Sequence, residues 1–506
     1  MKDWCFGRSL CRRGAKRQRA QSFFKAESLR SLLICPSAAI LMGGAACAAA
    51  PGFESIFPAG GQIGTRVECT VAGKGLEGSS LLAWSSRPGV VLLAGEKPKK
   101  FIATLAKDAK PGPCLVRFYT DDGSSPPRVF EVGNLPEHLE KEPNDAFADA
   151  KTAEPRMNTV INGLLEKAGD VDTHAIRVQK GKAITLELHG YALGSPMDPA
   201  LRLLDSRGVE ISASHDSHNL DPRLSYTPGT DGTMFVQVLA FAHPPAADVA
   251  LKGSSSHVYR LHISDEASKV AANEPKALTL PATIQGLLAK PREEDVFTFT
   301  AKKGDELALA AHSRAFDALL RIDDAEGKML TQADDGESSD PSLRWKAPKD
   351  GEFKVVVADR FHGGSAEHAY ELSVKPFTPT LTATLDTHAY RVEAGKDAEV
   401  KIAVKLNGTF TTKLQAKALN LPLGVTADPV EVPAKGGEIK LKLKATPEAV
   451  LSQDPFRIEI TDGTQTFAAT YLIPFTEPRG DLLITTDTQP WLTVAAKAAE
   501  KKPTAK

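Results

Sequence analysis

Apolar and polar positions alternate with a period of two in many short stretches. Examples are Ala183-Ile-Thr-Leu-Glu-Leu-His189, Ala398-Glu-Val-Lys-Ile-Ala-Val-Lys-Leu406 and Ile439-Lys-Leu-Lys-Leu-Lys-Ala445, while Phe353-Lys-Val-Val-Val-Ala-Asp359 is a denser apolar cluster. Such alternation places apolar side chains on one face of a half-buried strand. Glycine and proline, 39 and 34 of them, break the chain too often for long helices. The pattern predicts an all-β protein of sandwich domains, each with one solvated face.

At 506 residues the chain exceeds what one hydrophobic core sustains, since cores stop growing at ~250–300 residues. Several domains are therefore expected. The 62 basic and 63 acidic residues leave a formal net charge of −1, which excludes the basic face that a nucleic-acid binder needs.

The first 50 residues form a separate signal. A basic stretch from Arg8 to Arg30 precedes an apolar run, Leu32 to Ala50, that closes on Ala46-Cys-Ala-Ala-Ala-Pro51. This is the order of a secretory signal peptide, assigned to 1–50 and implying a secreted, periplasmic or cell-surface protein with no membrane span after cleavage. An uncleaved anchor is the alternative, but Pro36, Ser37, Gly43 and Gly44 interrupt a run that only just reaches the ~20 apolar residues of a span. Of six cysteines, Cys69 and Cys114 lie beyond this segment, on strand-like stretches of one domain. In an exported chain they form a disulfide across a sandwich, or remain two buried thiols.

An internal repeat organises the middle. Ile161-Asn-Gly-Leu-Leu pairs with Ile284-Gln-Gly-Leu-Leu, Met197-Asp-Pro-Ala-Leu-Arg-Leu-Leu-Asp205 with Phe316-Asp-Ala-Leu-Leu-Arg-Ile-Asp-Asp324, and His257-Val-Tyr-Arg-Leu with His368-Ala-Tyr-Glu-Leu. Two homologous units follow, 138–266 and 270–376. The series Glu142-Pro-Asn-Asp145, Gly169-Asp-Val-Asp172, the Met197–Asp205 stretch, Asp221-Pro-Arg-Leu224 and Tyr259-Arg-Leu261 resembles the bacterial pre-peptidase C-terminal (PPC) domain, closely in the first copy and loosely in the second. The resemblance implies jelly-roll-like β-sandwiches, found on secreted proteases and on large exported proteins without one.

Flanking units are expected at 51–135, where Phe57-Pro-Ala-Gly-Gly-Gln-Ile-Gly and Pro111-Gly-Pro-Cys-Leu-Val-Arg-Phe-Tyr119 resemble IPT/TIG-type immunoglobulin-like domains, and at 377–477, which is similar to generic immunoglobulin-like sandwiches. Residues 478–506, ending in Ala495-Ala-Lys-Ala-Ala-Glu-Lys-Lys-Pro-Thr-Ala-Lys506, read as a disordered tail.

Calcium is the ligand the sequence motivates best. Hard cations take several oxygens, and Glu140, Glu142, Asn144, Asp145, Asp170 and Asp172 supply them in two short segments. The PPC resemblance points to the same positions. The competing reading is an acidic, solvated linker with Asn144 and Asp145 capping a turn. In the second copy Asn273-Glu-Pro-Lys276 and Arg292-Glu-Glu-Asp295 replace these motifs, so calcium is not expected there. The periodic Asp198, Asp205, Asp216 and Asp221, echoed by Asp317, Asp324, Asp335 and Asp340, read as turn-capping residues. His215 and His218 beside Asp216 come nearest to a metal-binding pair. No His-Glu-x-x-His, Gly-x-Ser-x-Gly or phosphate-cradling glycine loop occurs. The sequence reading is a non-catalytic exported protein that binds or scaffolds an extracellular or cell-envelope protein or polymer, the alternative being an accessory part of a secreted peptidase or other hydrolase.

Overall fold

The computed structural model describes residues 49–77, 80–217, 220–242, 250–265, 276–313, 315–336, 340–365, 367–474 and 482–497. The signal-peptide assignment, apart from its last two residues, lies outside them, as do His218, Asn273 and Glu274. The described chain is all-β, as the alternation predicts, with one short α-helix at Phe147–Ala150. No helix among the described residues is long and apolar enough to cross a membrane.

The first sandwich opposes a sheet ordered Gly52–Phe57, Arg66–Lys74, Lys100–Leu105, Val90–Ala94 to one ordered Gly60–Gln62, Arg128–Gly133, Gly112–Thr120, Leu82–Ser85. Phe118 from the second sheet packs on Phe53 and Phe101 of the first, with ring centroids 4.8 and 4.5 Å apart. Cys69 and Cys114 lie on opposite sheets as free, buried thiols, so the expected disulfide is not formed. Cys114 Sγ turns to the carbonyl of Phe130 in its own sheet at 3.2 Å, and Cys69 Sγ lies 3.8 Å from the carbonyl of Val67. Burial pushes the two thiols, Cys69 and Cys114, up to about 12 and about 11, so both act as small apolar core side chains.

The repeat-paired segments occupy equivalent strands of two sandwiches. In residues 159–264 one sheet runs Thr159–Leu164, Val258–Ser264, Ile184–His189, Arg223–Tyr226, and in residues 282–376 its counterpart runs Ala282–Leu287, Ala369–Pro376, Glu306–His312, Ser342–Lys346. The facing sheets, Asp172–Val178, Gly232–Ala242, Met197–Leu204, Glu210–His215 and Glu294–Ala301, Gly351–Asp359, Ala318–Asp324, Met329–Ala333, share one order too. Each copy buries a tyrosine over a glycine of the neighbouring strand. A Cβ on Gly163 would fall 2.0 Å from the Tyr259 ring, and one on Gly286 2.1 Å from the Tyr370 ring. The first copy adds a strand, Glu137–Leu139, parallel to Thr159–Leu164, so the segment leaving the first sandwich is already part of the next sheet.

The last sandwich runs past the expected boundary. Trp491–Ala495, placed in the tail by its simple composition, is a fully buried strand, parallel to Ala389–Glu393 and antiparallel to Ser452–Pro455. What remains of the tail, residues 498–506, lies outside the described residues. The first and last sandwiches meet directly, around Trp84, Arg117, Tyr471 and Trp491. His388 is half-buried at this contact, with Arg117, Arg128 and the Tyr471 ring facing it, and desolvation followed by the two arginines pushes it down to about 4. A histidine held neutral in the fold contributes stability above its unfolded value of ~6.5 that is lost as pH falls toward 4. The contact is therefore expected to weaken between pH 6.5 and 4, and His388→Gln to flatten that part of a plot of Tm against pH recorded in calcium. An unchanged slope would remove His388 from the acid response.

Candidate functional site

The acidic residues of the first repeat copy converge where the incoming segment meets the turn before Asp172–Val178. Oxygens of Glu142, Asp145, Asp170 and Asp172 lie within 4.8 Å of one another. Asn144 is tied in by its carbonyl, which accepts from Thr173 N at 3.1 Å. Asp170 and Asp172 are both 0% exposed. Asp170 Oδ2 accepts from the backbone of Glu166 and Lys167, and Asp172 Oδ2 accepts from Tyr259 Oη at 2.6 Å. Their second oxygens, together with Asn144 Oδ1, are buried and accept no hydrogen bond.

Glu140 departs from its expected place. It sits behind the group: its Oε1 accepts from Leu164 N, and its Oε2 from Asn144 Nδ2 at 3.3 Å and Tyr259 Oη at 3.2 Å. His174 Nε2, 2.8 Å from Tyr259 Oη, completes this buried support.

Of the four carboxylates, Asp145 and Asp170 are met by the exposed Lys167, whose Nζ is 3.4 Å from Asp145 and 3.5 Å from Asp170. Burial, and then Glu140, pushes Asp172 up to about 10. Asp170 is raised by burial and by Asp145, Glu142 by burial and by Asp170 and Asp145, and Glu140 by burial and by Glu142. Buried anions with spare oxygens are costly unless a cation compensates them. Calcium, which takes 6–8 oxygens, fits this donor set.

Elsewhere some of the periodic aspartates cap turns, while Asp198 pairs with His215 and Asp317 with Arg360 instead. Asp221 accepts from the backbone of Gly190, Tyr191 and Ala192, Asp205 from Arg207 N and Val209 N, and Asp324 from Lys328 N. His215 lies between Asp198 at 3.0 Å and Asp216 at 3.3 Å. In the second copy Asp295, at the place of Asp172, accepts from Tyr370 Oη at 2.6 Å, and among the described residues no acidic group gathers around it.

A second polar cluster has no counterpart among the residues singled out from the sequence. Glu131 of the first sandwich meets His189, His262 and Arg260 of the first repeat copy. Burial acts to lower His189, but Glu131 and Glu187 on its two nitrogens hold it up at about 10. The His189 contact holds Glu187 down at about 2. The signal available was local: Glu187 with His189 and Arg260 with His262 are two-residue spacings that put polar groups on one face of adjacent strands.

No family model matches the chain. A probable subtilase-type serine protease of Deinococcus radiodurans is 35% identical over 77 residues, which are 14% of this chain and 11% of that protein. The chain thus matches about a tenth of the length of that curated relative. Among solved structures, the pre-peptidase C-terminal domain of a Bacillus anthracis collagenase aligns at 20% identity over 20% of this chain and 99% of its own, with a TM-score of 0.18. The N-terminal four Ig domains of Dscam1 isoform 8.4 align at 10% identity over 88% of this chain and 99% of theirs, with a TM-score of 0.21.

Proposed function

We propose that the chain is a non-catalytic exported protein that binds or scaffolds an extracellular or cell-envelope protein or polymer, and that calcium stiffens its first repeat sandwich. Glu142, Asp145, Asp170 and Asp172 hold the ion, Asn144 adds its spare Oδ1, and Glu140 and Tyr259 brace the group from behind. One observation carries the metal assignment: oxygens of Asn144, Asp170 and Asp172 are buried without a hydrogen bond beside four gathered carboxylates. Because two of the acids arrive from the incoming segment and two from the turn at Asp170–Asp172, the ion fixes how the first sandwich leads into the second. A rigid joint of this kind presents neighbouring sandwich edges in a set orientation, which a multivalent binder exploits. The resemblance to a subtilase-type protease supports a second reading, the accessory part of a secreted peptidase.

Calcium at a hundred times its Kd is expected to stabilise by about 2.7 kcal/mol. Asp172 is raised in the fold, so its metal-free contribution to stability is full below about 4 and is lost as pH rises toward 10. Chelated protein should therefore be less stable at pH 8 than at pH 5, and calcium should remove that difference. Asp172→Asn should abolish the calcium response while leaving chelated protein at pH 8 no less stable. A calcium-independent Tm, or a response that survives Asp170→Asn, rules the site out. Co-sedimentation with collagen, peptidoglycan, chitin and cellulose, with and without calcium, tests the binding role. Capture by one polymer supports it, and casein or gelatin lysis by the pure chain refutes a non-catalytic reading.

A further inference from the structure

The Glu131, His189 and His262 group differs in chemistry from the calcium cluster. Two imidazoles and one carboxylate, from strands Arg128–Gly133, Ile184–His189 and Val258–Ser264, bring ligand atoms within 4.8 Å of one another. Glu131 Oε2 is 3.1 Å from His189 Nδ1 and 3.4 Å from His262 Nε2. A tetrahedral zinc ion with bonds of ~2.0–2.1 Å holds its ligand atoms ~3.3–3.4 Å apart, so these separations already approach the edges of such a tetrahedron. His262 Nε2 is shielded from solvent and makes no hydrogen bond.

The surroundings suit a metal as well. Glu187 Oε1 lies 3.3 Å from His189 Nε2, the nitrogen away from Glu131. That is the carboxylate–imidazole support which orients metal-bound histidines and raises their basicity. Arg260 Nε, 3.1 Å from Glu131 Oε2, fixes the carboxylate, and Arg260 is itself neutralised by Glu137. Beside the group lies a cavity of about 420 Å³ whose lining includes Glu131, Glu187, His189, Asp221 and His312, with room for a fourth ligand such as water.

We infer that Glu131, His189 and His262 form a binding site for zinc or a similar late first-row divalent ion, joining the first sandwich to the first repeat copy. Nitrogen donors select such ions over calcium. The site shares no residue with the calcium cluster and does not depend on it.

The test uses the full mature chain, stripped of metal and kept in calcium, with cobalt(II) and zinc as probes. Titration with cobalt(II) should give the visible absorption of a tetrahedral nitrogen–oxygen site, saturating at one equivalent and bleached by zinc. Competition against a chromogenic chelator should show zinc affinity falling at least ~100-fold in His262→Ala and ~10–100-fold in Glu187→Gln, the range for a lost supporting carboxylate. Glu399→Gln, on the solvent face of the last sandwich and outside both clusters, should leave zinc binding unchanged. His262→Gln repeats the test with a side chain nearer in size, and circular dichroism of each variant separates lost binding from lost folding. Absence of the cobalt band, unaltered zinc affinity in folded His262→Ala, or loss of zinc in Glu399→Gln each overturns the assignment.

Discussion

Arg117→Ala is expected to destabilise the contact between the first and last sandwiches by about 3–5 kcal/mol, the range for removing one partner of a buried charged network. Arg117 is 0% exposed in the strand Gly112–Thr120. Its guanidinium donates to Tyr471 Oη at 2.6 Å, Ser124 Oγ at 3.3 Å and the His388 carbonyl at 3.5 Å. It also lies 5.3 to 5.9 Å from the ring centroids of Trp84, Tyr471 and Trp491. Its charge is met through a relay, since Tyr471 Oη donates onward to Asp487 at 2.8 Å. Burial lowers Arg117 while Tyr471 and Asp487 raise it, so the cation depends on partners from the other end of the chain. Alanine removes the donor, leaves Asp487 less compensated and opens a cavity among three aromatic rings. Arg117→Met keeps most of the volume and should recover the cavity part of the loss. The urea midpoint followed by the fluorescence of Trp84 and Trp491 reports this, and a loss below ~1 kcal/mol would mean that the two sandwiches unfold independently of the contact.

This contact also shows where sequence patterns stop being informative. Within a sandwich the period of two is set by the pleat, so the alternation alone assigns Val400, Ile402 and Val404 to the core, and Lys401 and Lys405 to solvent. The paired segments were legible because residues 159–264 and 282–376 share one strand order, down to the glycine under the tyrosine. The spacing of Asp170 and Asp172 was legible because a turn needs both within a few residues. Trp491–Ala495 was not. One partner lies about 100 residues back at Ala389–Glu393 and the other about 40 back at Ser452–Pro455, and the residues that follow it in sequence are simple and polar. The cysteines stayed open between a bridge and two buried thiols for a related reason: a pair of strand-borne thiols is compatible with either, and only the facing of each side chain within its sheet decides for the thiols. Glu140 was grouped with the ligands as one more oxygen of a short acidic segment, yet the chain between Leu139 and Phe147 is not a strand, and Glu140 turns to the backbone of Leu164. Clusters assembled from different domains carry no sequence signature beyond isolated polar residues on strand faces.

Arg260→Met is expected to cost as much as Arg117→Ala, about 3–5 kcal/mol, and to act at the other junction, between the first sandwich and the first repeat copy. Arg260 is 0% exposed and every part of its fork is used. Nη1 and Nη2 each donate to Glu137 at 2.8 Å, Nη1 also reaches Asn162 Oδ1 at 2.8 Å, and Nε reaches Glu131 at 3.1 Å. Gly60 makes room for it: a Cβ there would stand 2.2 Å from Nη1. Methionine fills similar space but strands two largely buried carboxylates and an amide oxygen. Arg260→Lys restores the charge without the bidentate geometry and should recover only part of the loss. Chemical unfolding of the two variants side by side decides the matter. A smaller deficit in Arg260→Lys than in Arg260→Met identifies charge compensation as a source, whereas equal deficits would assign the effect to packing and hydrogen-bond geometry alone.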